Sequence, residues 1–313
     1  MNDDDEVAPD VSAEHPLSDH WVWVSERGRP WPRRLVEAMT EGWQGDEPAS
    51  DVHPMAAAAA RRRALIAEEF PGRTLVVPTG GPKVRSNDTD YRFRPGSDFF
   101  YLTGCDEPDC VLVVSPGDDG PESVLYIAAR RDQRSHDFFT NDRYGELWVG
   151  PRRGVDEARR YFAIDTAPLE VLDERLAGLA AGEVVTLRDV DSTVDDRLKE
   201  SDDDARLAEA LGELRLVKES DEVAEVQRAI DATVRGFEDV VRALARARGR
   251  GERVVEGVFN LRARVEGNDV GYGTIAASGH HACTLHYTRN DGELEPGSLL
   301  LLDAGVEGNT LYT

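Results

Sequence analysis

Cysteine is scarce in this chain. It has three, Cys105, Cys110 and Cys283, an odd number with no CxxC spacing. That count argues against a disulfide framework, and the small or apolar neighbours of all three favour buried thiols. Basic side chains are also few: 37 Lys and Arg face 61 Asp and Glu, for a formal net charge of -24. Such a surface repels phosphate backbones and anionic membranes, so neither nucleic acid nor membrane is an expected partner. Solubility is the simpler role of the acidic excess. No apolar run approaches the roughly 20 residues needed to span a bilayer. The opening MNDDDEVAPD has neither the basic region nor the apolar core of a secretory signal, and a cytoplasmic location is the expectation. Walker A, GxGxxG, HExxH and GxSxG patterns are absent, so serine-hydrolase chemistry lacks a nucleophile elbow.

What remains is an ordinary globular composition, 40% hydrophobic over 313 residues, long enough for more than one domain. Residues 1–52 read as an acidic, Pro- and Trp-bearing extension with little core of its own and one short amphipathic helix between Trp31 and Trp43. Residues 53–213 read as an α/β domain with a charge-dense linker. Its first helix, MAAAAARRRALIAEEF, is predicted to bury Ala60, Leu65 and Ile66 and to stop at Pro71-Gly72. TLVVP, FFYLTG, CVLVVSPG, SVLYIAAR and VVTLRDV read as strands, and GVDEARRYFAI and LEVLDERLAGLAAG as helices. Residues 214–313 open a second region. A long helix, N-capped by Ser220, carries a stripe of Val223, Val226, Ile230, Val234, Phe237 and Val241, predicted to pack on a sheet containing Leu299 to Leu302. A second helix, RVVEGVFNLRARVEG, precedes the strands GYGTIAASG and SLLLLDAGVEGNTLYT. The strand pattern is unfinished at Thr313, so this region reads as the beginning of a domain.

Few residues stand out as carriers of chemistry. Asp303 ends a run of four leucines. A carboxylate at the end of a buried strand is costly unless paired, hydrogen-bonded or metal-bound, so it reads either as a metal ligand or as a cap of the following turn. His280, His281 and His286 are of a type used in zinc or manganese sites. Neighbouring strand residues point to opposite faces, however, so His280 and His281 do not share one ion without a bend.

The segment TIAASGHHACTLHYTRNDGELEPGSLLLLDAGVEGNTLY resembles the start of the catalytic domain of the Xaa-Pro aminopeptidases (aminopeptidase P), which share the pita-bread fold with methionine aminopeptidase, prolidase and creatinase. RRRALIAEEFPG, SNDTDYRFRPGSDFFYLTGCDEPDCVLVV, GELWVGPRRG and RLVKESDEVAEVQRAI resemble that family's N-terminal domain and its junction. The resemblance spans residues 55 to 313 and implies an α/β (α+β) architecture: an aminopeptidase P-type N-terminal domain, then an incomplete pita-bread domain. It implies hydrolysis of the N-terminal residue from peptides with proline second, at two Mn²⁺ ions held by two Asp, one His and two Glu. Of those ligands only the first carries over, onto Asp303, so the resemblance also implies that the 313-residue chain alone is inactive. His286 matches the family's histidine beside the metals, Tyr272 an aromatic lining the substrate pocket, and Trp148 a tryptophan that reaches a neighbouring subunit's active site in a homo-oligomer. His280 and His281 match no required residue. The alternatives are a prolidase, which cuts Xaa-Pro dipeptides, and a shortened, non-catalytic binding or dimerisation homologue.

Overall fold

Short apolar runs separated by charged helices call for a sheet covered by helices, and the computed structural model, which describes residues 21–23, 30–41, 51–133, 135–179, 183–247, 249, 251–294 and 296–313, has that form. The chain divides into two units, Met1–Ala210 and Leu211–Thr313.

In the first unit, strands β1 (Trp21–Trp23) and β2 (Pro30–Pro32) pair antiparallel and lead into helix α1 (Arg33–Thr40). The helix expected between Trp31 and Trp43 is therefore present over Arg33–Thr40, while Trp43 lies outside the described residues. Trp31, Val36 and Met39 are partly buried against Phe138 and Phe139, so this segment borrows a core rather than building one. Helix α2 (Ala56–Glu69), strand β3 (Thr74–Pro78), the exposed hairpin β4 (Val84–Ser86) and β5 (Thr89–Asp90), helix α3 (Ser97–Thr103) and strands β6 (Val111–Ser115) and β7 (Glu122–Ile127) follow. Next come the short helices α4 (Asp137–Thr140) and α5 (Glu146–Val149), helix α6 (Val155–Phe162), strand β8 (Asp165–Pro168), helix α7 (Leu172–Ala177), strand β9 (Val184–Thr186) and helix α8 (Ser192–Arg197). Five strands form one mixed sheet in the order β8-β7-β6-β3-β9. β6 pairs antiparallel with β3 and β7, and the flanking β9 and β8 pair parallel.

Two elements differ from what the sequence predicts. FFYLTG is helix α3, not a strand: its residues from Phe99 to Thr103 are all buried, and Gly104 ends it in the left-handed region at φ 70°. A short run that is apolar on every side has no period to separate helix from strand. Helix α2 buries Arg62 and Arg63 together with Ile66, while Ala60 and Leu65 face outward. The two guanidinium groups donate to the carbonyls of Tyr101 and Leu102 at 3.3 and 2.7 Å, satisfying the open C-terminal end of α3. Burial lowers the Arg63 pKa from 12.5 to about 10.

Helix α9 (Asp204–Leu216) runs through the division between units. The second unit contains helices α10 (Ser220–Ala247) and α11 (Glu252–Glu266) and strands β10 (Asp269–Val270), β11 (Ile275–Ser278), β12 (Leu300–Asp303) and β13 (Val306–Glu307). β11 pairs antiparallel with β12, and β10 with β13. The Glu222 carboxylate accepts from the Glu219 N–H at 2.9 Å, so the capping position is Glu219 rather than Ser220.

The apolar stripe of α10 does not pack on the sheet. Val223, Ile230, Val234 and Val241 are about half exposed or more, and Phe237 is 36% exposed. The buried face is instead Ala229, Ala232, Gly236, Val240, Ala243 and Ala247. Small residues let α10 lie close against α11, whose Phe259 is fully buried in a core with Val255, Ala263, Ala276 and Val306. Periodicity shows that a helix has an apolar face but not that this face wins the core when a second, small-residue face permits closer approach.

Candidate functional site

Strand β12 carries the first candidate. Its residues alternate: Leu300 and Leu302 are partly buried in the core, while Leu301 and Asp303 face outward. The period of two thus sets Asp303 on an exposed face, not at the end of a strand buried on both sides. Asp303 lies opposite Ile275 in the β11–β12 ladder. Its carboxylate accepts a hydrogen bond from Tyr272, and burial together with that bond pushes the phenol pKa up to about 12. Gly305 makes room for the ring: a Cβ there would stand 3.1 Å from Tyr272 Cε1. The Gly271 N–H donates to the Gly305 carbonyl at 2.8 Å, which holds the Tyr272 backbone to the turn after Asp303.

The connection from β11 to β12 carries His286. After a 3₁₀ turn over Gly279–Cys283 the chain turns outward, leaving Leu285 and His286 exposed and Tyr287 buried. The structure therefore brings Tyr272 and Asp303 together, while no hydrogen bond among the described residues joins His286 to either. Trp148 belongs to the other unit, on α5; it is 59% exposed and donates its indole N–H to the Phe139 carbonyl at 3.0 Å.

The sequence reading missed the residues that hold the His286 connection. Glu252, at the start of α11, is fully buried; its carboxylate accepts from Ser278 N at 2.6 Å and Gly292 N at 2.7 Å and lies 3.0 Å from His281 Nδ1. Burial by itself would raise its pKa, but the Ser278 N–H, His281 and the Gly292 N–H more than offset it, so the carboxyl sits below its ordinary value. Asn290, also fully buried, accepts from Ala276 N and donates to the Thr274 carbonyl, both at 2.9 Å. It satisfies the edge of β11 as a strand would. His281, left structural by the sequence reading, has its partner in Glu252.

No group of three or more His, Cys, Asp or Glu among the described residues is placed to hold an ion. Asp303 is a single carboxylate donor, and these residues alone do not make a metal cage.

The sequence profile of the aminopeptidase P N-terminal domain matches residues 59–187, and that of metallopeptidase family M24 matches residues 224–313. Xaa-Pro aminopeptidase 1 of Streptomyces coelicolor is 47% identical over 284 residues, covering 89% of this chain and 57% of that protein. The chain belongs to the aminopeptidase P family. Xaa-Pro aminopeptidase 2 of the same organism is 43% identical, with 89% of this chain and 60% of that protein covered. The aminopeptidase P fold matches as well. The structure of E. coli aminopeptidase P with the inhibitor Pro-Leu superposes with a TM-score of 0.69 at 27% identity, covering 82% of this chain and 60% of that one. Pseudomonas aeruginosa aminopeptidase PepP gives 0.69 at 31% identity, with the same coverage. The architecture is thus an aminopeptidase P N-terminal domain and part of the pita-bread catalytic domain. The chain spans about 57 to 60% of the length of these relatives. The M24 match contains Tyr272, His286 and Asp303; Trp148 lies within the N-terminal domain match.

Proposed function

We propose that the protein is a metal-dependent Xaa-Pro aminopeptidase, releasing the N-terminal residue from peptides whose second residue is proline. The observation that carries this reading is 47% identity to an Xaa-Pro aminopeptidase across 89% of the chain. In it, Asp303 is the first ligand to a divalent metal, proposed as Mn²⁺ because hard carboxylate oxygens suit it. His286, exposed on the connection between β11 and β12, hydrogen-bonds the substrate carbonyl or the leaving group. Tyr272 forms part of the substrate wall, its hydroxyl turned to Asp303. Proline requires a shaped pocket because its ring fixes φ and removes the amide donor.

Trp148 is proposed to meet a neighbouring subunit's substrate in a homo-oligomer, a role supported by its exposed ring. No helix among the described residues is long and apolar enough to cross a membrane. The 313-residue chain by itself is proposed to be inactive.

The test is cleavage of Xaa-Pro-Yaa peptides by the gene product isolated from its own cells with Mn²⁺ supplied. Release of Xaa that a chelator abolishes is expected. Cleavage of Xaa-Pro dipeptides alone would favour prolidase. The alternative reading is a non-catalytic binding module. A native product of 313 residues without hydrolytic activity would establish that reading instead.

A further inference from the structure

We propose that Glu252 is a positioning residue for His286: its carboxylate ties Ser278 to Gly292, closing the part of the β11–β12 connection that bears His286, and so sets where the imidazole stands. The catalytic half of this proposal rests on the peptidase reading above.

The geometry points one way. A fully buried carboxylate is costly unless its oxygens are satisfied, and those of Glu252 are satisfied by the connection that bears His286. Ser278 N, at its start, donates at 2.6 Å, and Gly292 N, beyond His286, donates at 2.7 Å. The Glu252 N–H returns a bond to the Gly292 carbonyl at 2.9 Å. One residue of α11 thus clasps both ends of an exposed excursion, whose freedom would otherwise be that of an open loop.

A second chain of contacts runs inward. The Glu252 carboxylate lies 3.0 Å from His281 Nδ1, and the His281 ring stacks on Tyr287 at 4.4 Å between centroids and 25° between planes. Tyr287 is the neighbour of His286, and its hydroxyl donates to Asp291 at 2.5 Å. Fixing a buried Tyr287 fixes the backbone from which His286 projects.

The backbone is cut to fit this clasp. A Cβ on Gly292 would stand 2.5 Å from His281 Cε1 and 2.9 Å from Glu252 Oε2. Gly251, at φ 80°, would bring one within 2.3 Å of the Gly292 carbonyl oxygen. Side chains at either position would separate the helix start from Gly292.

The test uses Glu252→Gln, which keeps the shape but sets an amide NH₂ against a main-chain N–H. In the purified 313-residue chain, amide hydrogen exchange at Ser278, Gly292 and residues between them is expected to quicken at least about tenfold, while Val255, Phe259 and Ala263 in α11 stay protected. In the gene product isolated from its own cells, kcat is expected to fall about 10²-fold, as for a catalytic group misplaced by an ångström, with KM within about twofold and metal content unchanged. Glu252→Asp should recover part of the loss. Unchanged exchange at Ser278 and Gly292, or unchanged kcat with a loosened connection, would overturn the proposal. Should Glu252→Gln lose α11 protection, Gly292→Ala forces the same clasp open without a change of charge, and the same two outcomes decide. If the wild-type product cleaves no Xaa-Pro peptide, the peptidase reading and the catalytic half of the proposal fall together. The exchange measurement still decides whether Glu252 holds the connection.

Discussion

Replacing Gly236 by Ala separates the observed packing of α10 from the one its apolar stripe suggests. A Cβ at Gly236 would stand 2.7 and 2.8 Å from Phe259 Cε2 and Cδ2, about 1 Å inside ordinary carbon contact. The ring has little room to yield, since Phe259 is fully buried and meets Phe237 edge-on at 5.9 Å. Overpacking of this kind costs about 1–3 kcal/mol, whereas Ala gains about 1 kcal/mol over Gly within a helix. The overlap outweighs the propensity, and Gly236→Ala should destabilise the second unit by about 1 kcal/mol. Val241→Ala, at a residue 66% exposed, should change stability by less than about 0.5 kcal/mol. Were the Val/Ile/Phe stripe the buried face, both outcomes would change. Gly236→Ala would stabilise by up to about 1 kcal/mol, and Val241→Ala would cost about 1.6 kcal/mol for two buried methyl groups. Adding Phe259→Ala removes the clash, so Gly236→Ala should become stabilising in that background, a coupling between touching residues. The assay is urea unfolding followed by far-UV circular dichroism. Tryptophan fluorescence serves as a control, because every tryptophan of the chain precedes residue 149 and the second unit has none. A stabilising Gly236→Ala in the wild-type background would refute the reasoning.

Asp303→Asn in the native gene product should lower bound metal, and His286→Ala should keep the metal while losing about 10²–10⁴-fold in turnover. Elemental analysis beside steady-state rates checks both, and full occupancy in the first or wild-type turnover in the second would show misplaced roles. Glu252 makes stability depend on acidity. Its folded-state pKa lies below the ordinary 4.5, so its contribution is complete above that value and is lost as the pH falls through the folded-state value. Amide protection of Ser278 and Gly292 should therefore fade as the pH falls below 4.5. Asp204 is a hub of the first unit, accepting from Thr186 N at 2.9 Å, Arg188 Nε at 2.7 Å and Ser201 N at 3.1 Å. Asp204→Ala should cost about 3 kcal/mol by leaving these donors unmet, read as an earlier tryptophan fluorescence transition in urea.

Local pattern alone determined much of this protein. β3, β6, β7, β9, β11 and β12 follow from short apolar runs bounded by turns, and α6, α10 and α11 from helical spacing, because each signal lies within a few residues of itself. The family, too, was legible, since its motifs are contiguous segments such as LHY and LLLLDAG whose order survives in the linear chain. What the tertiary structure decided is which surface each element turns inward. Arg62 and Arg63 are buried because α3 offers them its open carbonyls, and α10 hides alanines and a glycine because Phe259 of α11 fills the space they leave. The Glu252 clasp depends on partners 26 and 40 residues away. A carboxylate at the start of a helix looks like any solvated end residue until the fold carries two main-chain N–H groups to its oxygens. Burial, and with it the energy of a polar group, belongs to the neighbours that folding supplies rather than to the residue type.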